Sequence, residues 1–205
     1  MKAIIQALWG PPGLILLGAI LSAIGALWAS QQKGIFEREL RIKSDEIAEL
    51  NKEIVKSVIG GDSFCYLMIA SLDPHRDSGI LMIIHQGGHP IYDVSARMAD
   101  LQKMKAIEKD NMDFREVMQA NTNIQIGNMA KGTAAPIGPF QLGSGTERNF
   151  NIFFSARNGL FTQLLRLKKI NNKWVHATKV ERDGKIIFEK IDGDFPRNSD
   201  ASVRW

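Results

Sequence analysis

Two groups of side chains in this sequence have the residue types of a metal site. His85 and His89 stand four residues apart, and a second group consists of Asp73, His75 and Asp77. Histidines at this spacing bind zinc when both lie on one face of a helix. Here two glycines separate them, and glycine pairs favour turns. We therefore expect His85 to end a strand, the other members to lie in turns, and no metal to be bound.

Motifs for nucleophilic catalysis and phosphate binding are incomplete. Gly143-Ser144-Gly145 lacks the spacing of the Gly-x-Ser-x-Gly nucleophile elbow. Gly127 and Gly132 have the glycine spacing of a phosphate-binding loop, but Thr133 stands where the lysine must follow. Asp192-Gly193-Asp194 supplies too few ligands for calcium and predicts a turn. We expect no enzymatic activity and no cofactor.

The charge distribution and the cysteine content limit the kinds of partner and bond that we expect for this chain. The net charge is +4, but the 26 basic and 22 acidic residues are mixed along the chain without a long basic block. Such mixing argues against a nucleic-acid-binding protein. The single cysteine, Cys65, excludes an internal disulfide. Its aromatic and aliphatic neighbours indicate a small buried residue.

The amino-terminal segment has the length and composition of a transmembrane helix. No charged residue occurs between Lys2 and Lys33, and residues 14–29 are almost all apolar or small. A spanning helix needs about 20 such residues. Trp9 and Trp28 are 19 residues apart, which corresponds to about 28 Å of helix and matches the distance between the two interfacial belts. We predict one span over residues 1–30, anchored in the lipid bilayer by these two tryptophans.

Two questions about this segment stay open. A cleaved signal peptide is the alternative, with Ala23-Ile24-Gly25 as a possible cleavage site, although the apolar run exceeds the usual core of about 7–15 residues. Basic residues are concentrated after the span, which favours a cytoplasmic soluble part over a periplasmic one. These residues are Lys33, Arg38, Arg41 and Lys43.

Residues 31–60 predict an amphipathic stalk helix that pairs with a second copy. Apolar residues recur at heptad spacing. They are Phe36, Leu40, Ile47, Leu50 and Ile54. Isoleucine at position a with leucine at position d favours a parallel dimer.

The same seam continues backwards into the span with small residues, which let helices approach closely in lipid. These residues are Gly18, Ala19, Ser22, Ala26 and Ala29. Lys33 and Lys43 also fall on the seam and weaken it. We predict a homodimer or a small homo-oligomer.

Beyond Gly60-Gly61-Asp62 the apolar period changes from 3.6 to 2, which indicates strands. Strands are predicted at 64–71, 80–86, 92–98 and 123–129, with a short helical insertion at 113–119. A four-stranded meander is predicted at 149–156, 160–170, 173–182 and 185–191. Two-residue turns separate its strands at Asn158-Gly159, Asn171-Asn172 and Asp183-Gly184. We predict a mainly β fold, with an antiparallel sandwich over 61–195 and a mobile tail over 196–205.

Three segments carry a resemblance to known proteins. Residues 85–94, 124–131 and 151–154 resemble the strand and turn pattern of immunoglobulin-like sandwiches. The stalk and the junction at residues 60–65 resemble uncharacterised bacterial single-pass membrane proteins of this layout. The resemblance implies a fold and no reaction. We expect the chain to cross a bacterial inner membrane once.

These features predict a membrane-tethered, non-enzymatic module that binds an unidentified protein partner and self-associates through helix and stalk. The alternative is a ligand-gated membrane effector whose β-domain binds a small anionic signal. A hydrolase is a third possibility, and it would require convergent polar residues in a cleft.

Overall fold

One continuous helix occupies the amino-terminal part of the chain. The computed structural model describes residues 10–73, 76–107 and 114–205. Helix α1 runs from Pro11 to Ile59 over 49 residues. Proline at its start costs no hydrogen bond, because the first amide groups of a helix have no partner within it. Gly60 follows its end with φ of 101°, a conformation that favours glycine.

After α1, the described residues form strands with two short helices between them. The helices are α2 (Leu101–Ile107) and α3 (Phe114–Gln119). The strands are β1 (Phe64–Asp73), β2 (Ser78–Gln86), β3 (Ile91–Asp100), β4 (Asn121–Met129), β5 (Ala134–Gln141), β6 (Glu147–Ala156), β7 (Gly159–Ile170), β8 (Lys173–Arg182) and β9 (Lys185–Ile191). The chain divides into two compact units, Met1–Ile54 and Val55–Trp205.

The strands form two antiparallel sheets. The smaller sheet has the order β1-β2-β5, and the larger has the order β4-β3-β6-β7-β8-β9. All their pairings are antiparallel. The predicted fold class, an N-terminal helix followed by a mainly β antiparallel sandwich, is confirmed.

The predicted meander is present as β6 to β9, and two of its three turns have the predicted residues. Asn171 and Asn172 have φ of 49° and 62°, and Asp183 and Gly184 have φ of 52° and 73°. Positive φ at both positions is the mark of a type I′ turn. The first turn differs by one residue, because Ala156 pairs with Gly159 and the loop is therefore residues 157–158.

Two elements were not predicted. Strand β5 contains Pro136 and Pro139, which weaken a strand pattern because proline cannot donate to the ladder. β5 lies at an edge of the smaller sheet, where proline is tolerated. Helix α2 was missed, and the predicted insertion at 113–119 corresponds to α3.

The main core lies between the two sheets. It is formed by apolar side chains of both, with Leu67, Ile83, Ile152 and Phe154 at most 2% exposed. A second cluster joins Val175 and Ala177 of β8 to Phe195 and Val203, which are 4% and 7% exposed. The sequence predicted a mobile tail over 196–205, whereas in the structure Val203 is buried in this cluster and Trp205 packs against it.

Candidate functional site

Helix α1 has the length and composition needed to cross a membrane. An 18-residue window of its Gly13–Ile59 portion has a mean hydropathy of 2.0, and none of that window is buried. Trp28 is 68% exposed. Trp9, the other predicted anchor, lies outside the described residues. In a single copy, the apolar surface of this segment is therefore uncovered.

The small residues of the predicted membrane seam are all exposed in the single chain. A Cβ built at Gly18 would meet nothing within 4 Å. Small residues on an uncovered helix face allow a second helix to approach closely. The seam residues Gly18, Ala19, Ser22, Ala26 and Ala29 are thus free for such a contact, which stays a prediction.

The stalk seam is also uncovered. Its five apolar side chains are between 54% and 60% exposed, and they are Phe36, Leu40, Ile47, Leu50 and Ile54. Salt bridges on the same helix join Lys33 to Glu37 at 3.8 Å and Lys43 to Glu46 at 2.8 Å. Both pairs are exposed and contribute little to stability. They place carboxylates beside the two lysines that interrupt the seam.

Ser63 is the centre of a buried polar cluster where the helix meets the strands. Its side chain is 1% exposed. The Ser63 hydroxyl donates to the His89 carbonyl at 2.7 Å and accepts from the His89 amide N–H at 3.0 Å. Gly87 lies so close that a Cβ would be 2.6 Å from the Ser63 Cα. The turn between β2 and β3 is therefore held against Ser63.

Two further side chains hold the backbone of Ser63. The Asn158 Nδ2 donates to the Ser63 carbonyl at 2.7 Å and to the Gly61 carbonyl at 2.9 Å. A terminal nitrogen of Arg182 donates to the same Ser63 carbonyl at 2.9 Å. Together with His85 and His89, these residues define the junction cluster, Ser63, His85, His89, Asn158 and Arg182. Three separate segments, residues 85–89, the turn at Asn158 and the end of β8 at Arg182, converge on the residues that follow α1.

Arg157 reaches the last turn of α1. Its Nε and a terminal nitrogen contact Asp93 Oδ2 at 3.0 and 2.9 Å, and another terminal nitrogen donates to the Val58 carbonyl at 3.3 Å. The guanidinium also lies 4.8 Å from the centre of the Tyr92 ring. Carbonyls at a helix end have no partner within the helix, so this contact satisfies one of them.

The structure gives the predicted histidine pair a structural role. His85 is 2% exposed and lies near the end of β2, as predicted. Its Nδ1 accepts from the Gly132 amide N–H at 3.1 Å, so its Nε2 carries the proton donated to the His89 carbonyl at 2.8 Å. Both nitrogens of His85 are thus engaged in hydrogen bonds. Within residues 10–73, 76–107 and 114–205, no three potential metal ligands lie together.

The acidic members of the second group do not converge with the histidines. Asp73 accepts from the Arg76 amide N–H at 3.3 Å, and His75 lies outside the described residues. Asp77 Oδ1 accepts from Lys169 Nζ at 2.6 Å and from Trp174 Nε1 at 3.0 Å. These two donors lower the pKa of Asp77 below its ordinary value. The carboxylate therefore joins the loop after β1 to β7 and β8.

Cys65 is fully buried, as the sequence predicted. Burial disfavours the thiolate and raises the pKa of Cys65 to about 12 from its ordinary value of 9.0, while Arg182 opposes the shift. At neutral pH the thiol is therefore protonated, which disfavours its reaction as a nucleophile.

The sequence-based reasoning missed the residues that hold the junction cluster together. Asn158 was recognised only as a turn residue, and Ser63 and Arg182 were not singled out. A signal existed for Ser63, because it follows two glycines at the predicted boundary. No sequence signal connects it with Arg182, which is 119 residues away. Searches of protein-family models, curated proteins and solved structures found no match to this chain.

Proposed function

We propose that this protein is a membrane-tethered, non-enzymatic interaction module that self-associates through its helix. The observation that carries the proposal is the uncovered apolar seam of the stalk, whose five residues are more than half exposed. Apolar stripes of this kind on a soluble helix are covered by another helix in coiled coils. The heptad spacing fits a second copy of the same chain in parallel orientation.

The junction cluster supports the tethering role. The Val58 carbonyl, at the end of α1, accepts a hydrogen bond from Arg157. The carbonyls of Gly61 and Ser63 accept hydrogen bonds from Asn158. A flexible linker would have none of these contacts. The end of α1, within the unit Val55–Trp205, is therefore held by side chains of the strand-connecting turns.

The outer face of the larger sheet supports binding of a protein partner. Phe153 and Leu160 are 39% and 72% exposed there, and the Arg97 guanidinium lies 4.6 Å from the Phe153 ring centre. Exposed aromatic and arginine side chains are enriched at protein interfaces. A Phe153→Ser, Leu160→Ser variant should lose partners that co-purify with the wild type from detergent extracts. Equal recovery by folded variant and wild type would argue against this face.

Cross-linking and analytical ultracentrifugation of the whole chain in detergent test self-association. Ser22→Leu should weaken the oligomer, because a bulky side chain keeps the membrane helices apart. Ile47→Ser with Leu50→Ser should weaken it through the stalk. Each change should shift the dissociation constant at least tenfold while membrane insertion is retained.

The control is Ile24→Ala, which changes a side chain on the opposite face of the same helix and should leave the oligomer intact. A monomeric wild type would overturn the proposal. Survival of the oligomer in both seam variants would show that the contact lies elsewhere and that the continuous seam is wrong.

The proposed location is a bacterial inner membrane crossed once, with the β-domain in the cytoplasm. It is supported by the apolar length of α1 and the basic residues that follow the span. The periplasm is the alternative location of the domain.

A further inference from the structure

A small cavity lies between the two sheets, away from the junction cluster. Its volume is about 140 Å³. A cavity of about 150 Å³ can hold a benzene molecule, whereas drug-sized ligands need roughly 300–1,000 Å³. The cavity is lined by residues of β3, β4, β5, β6 and α2. Its size therefore fits a ligand no larger than one six-membered ring with a small substituent.

One side of the cavity is apolar. Met98, Ala120 and Phe150 line it, and each is at most 4% exposed. Phe140 of the other sheet packs its ring edge-on against Phe150, with the centres 5.6 Å apart at 76°. A carbon skeleton on this side would be removed from water, which is favourable.

The cavity lining also contains charged residues. These are Asp100, Lys103 and Arg148. The Asp100 carboxylate accepts from the Gln102 and Lys103 amide N–H groups at 3.0 and 3.2 Å, and its second oxygen lies 3.8 Å from Arg148. These contacts already stabilise the negative charge of Asp100.

Lys103 supplies a second cation. No acidic side chain within the described part of the chain forms an ion pair with its ammonium group. Among the described residues, the lining thus holds two cationic residues, Lys103 and Arg148, and one carboxylate, Asp100, which leaves one positive charge. Thr122 and Gln141 add a hydroxyl and an amide to the same lining. A ligand with one negative charge would neutralise this remaining positive charge.

Arg148 is already held in place. Its Nε donates to the Leu142 carbonyl, and its side chain is 21% exposed. It lies over Gly143, which has φ of 73° and where a Cβ would come within 2.5 Å of a terminal guanidinium nitrogen. A guanidinium fixed before binding loses little side-chain freedom when it pairs with an anion.

We propose that this cavity binds a small organic monoanion, with its carboxylate or equivalent acid group on Arg148 and Lys103 and its carbon skeleton on the apolar side. Arginine pairs well with planar carboxylates through two parallel hydrogen bonds. The inference goes beyond the proposed function, since a protein-interaction module needs no small-molecule site. It also names the ligand class that an effector responding to an anionic signal would require.

Binding can be tested on the whole chain in detergent with benzoate as the probe. Benzamide has the same shape without the charge, and inorganic phosphate has charge without the ring. Benzoate at millimolar concentration should raise the melting temperature, because a ligand stabilises the state that it binds. Benzamide and phosphate should shift it much less. Titration calorimetry then gives the dissociation constant.

Lys103→Gln should weaken benzoate binding about tenfold, since it removes one of the two cations. The backbone N–H at position 103 can still donate to Asp100 in this variant. Because Lys103 is an exposed residue, the variant should fold. Arg148→Lys should weaken binding further because the paired hydrogen bonds are lost. Lys105→Gln, an exposed change on the same helix outside the cavity lining, is the control and should bind as the wild type does.

Equal shifts with benzoate and benzamide would overturn the proposal, as would unchanged affinity in Lys103→Gln. Binding of phosphate alone would overturn the organic part, because the apolar side would then have no role. None of these readouts depends on the oligomeric state that tests the proposed function, so each hypothesis can fail without the other.

Discussion

At the scale of single residues, Gln163 joins the two sheets. Its amide is fully buried on β7. Oε1 accepts from the Leu67 amide N–H at 2.8 Å, and Nε2 donates to the Leu67 carbonyl at 2.6 Å and to the Thr178 hydroxyl at 2.7 Å. Leu67 belongs to β1, at the edge of the smaller sheet. The side chain of Gln163 therefore supplies the hydrogen bonds that a neighbouring strand would give at this position.

Gln163→Leu should lower the free energy of unfolding by about 2–4 kcal/mol. The change leaves the buried amide and carbonyl of Leu67 without partners, at about 1–3 kcal/mol each. Chemical denaturation in detergent measures the difference. Thr162→Val, a half-buried change on the opposite face of the same strand, should cost less than about 1 kcal/mol. Equal stability of Gln163→Leu and wild type would show that these hydrogen bonds contribute nothing.

His176 should make the domain less stable in mild acid. Burial lowers its pKa below the ordinary value of 6.5, and this effect exceeds the opposing effect of Asp192, while Lys190 lowers the pKa further. The unfolded chain therefore takes up a proton more readily than the folded chain. The stability from His176 is complete above about pH 6.5 and is lost as the pH falls toward the lower value of the folded state.

Urea unfolding at pH 7.5 and pH 5.5 measures this loss. In His176→Gln the decrease in stability between the two pH values should be smaller than in the wild type, because one titrating group is gone. A larger or equal decrease in the variant would contradict the assigned role. The Asp192 carboxylate, 2.9 Å from His176 Nδ1, is present in both proteins.

For buried residues, the sequence predicts which side chains point inward but not which groups they contact. Strict alternation along β7 places Gln163 on the same face as Phe161, Leu165 and Leu167, so its inward orientation follows from sequence. Its partner Leu67 does not, because it is 96 residues away. Cys65 was predicted as buried from its neighbours alone. Local sequence patterns predicted which side chains point inward. Their hydrogen-bond partners depend on the tertiary structure and could not be predicted.

At the scale of elements, the meander was predictable because each turn has local residues that favour it. Asn171-Asn172 and Asp183-Gly184 adopt positive φ at low cost. β5 was missed because its prolines argue against a strand. Proline is tolerated at the edge of a sheet, but the sequence alone does not show which strand lies at an edge. The cavity was also invisible in sequence, since its lining comes from five separate elements.

The carboxy-terminal segment acts as an element of the fold although it forms no strand. Phe195 and Val203 pack on β8, Lys168 Nζ lies 6.0 Å from the Phe195 ring centre, and Lys179 Nζ lies 4.9 Å from that of Trp205. This packing covers Val175 and Ala177, on the outer face of the larger sheet. The sequence did not predict it, because polar residues surround these few apolar ones.

Phe195→Ala should destabilise the domain by about 3 kcal/mol, at the lower end of the range for buried phenylalanine because the cluster is small. Arg204→Ala, an exposed change in the same segment, should cost less than about 0.5 kcal/mol. Hydrogen exchange should show faster exchange of the β8 amides in Phe195→Ala. Unchanged stability and exchange would mean that the segment is not held against the sheet.

At the scale of the whole molecule, the side of the membrane decides which partners the β-domain can meet. A reporter fused after Trp205 tests it. A reporter active only in the cytoplasm should give signal, because basic residues concentrate just after the span. A periplasm-specific reporter fused at the same position should stay silent. The opposite pattern would place the domain in the periplasm, and a cleaved amino terminus would show a signal peptide.

Self-association on a membrane would hold two copies at a high effective concentration, which favours every contact between them, including wrong ones. Unpaired edges of sheets are the usual sites of such misassembly. Both edges of the smaller sheet resist it: β5 contains two prolines, and β1 already has its Leu67 groups occupied by Gln163. Gln163 would then protect against aggregation as well as hold the sandwich together, and its loss would be most harmful in the paired, membrane-bound state.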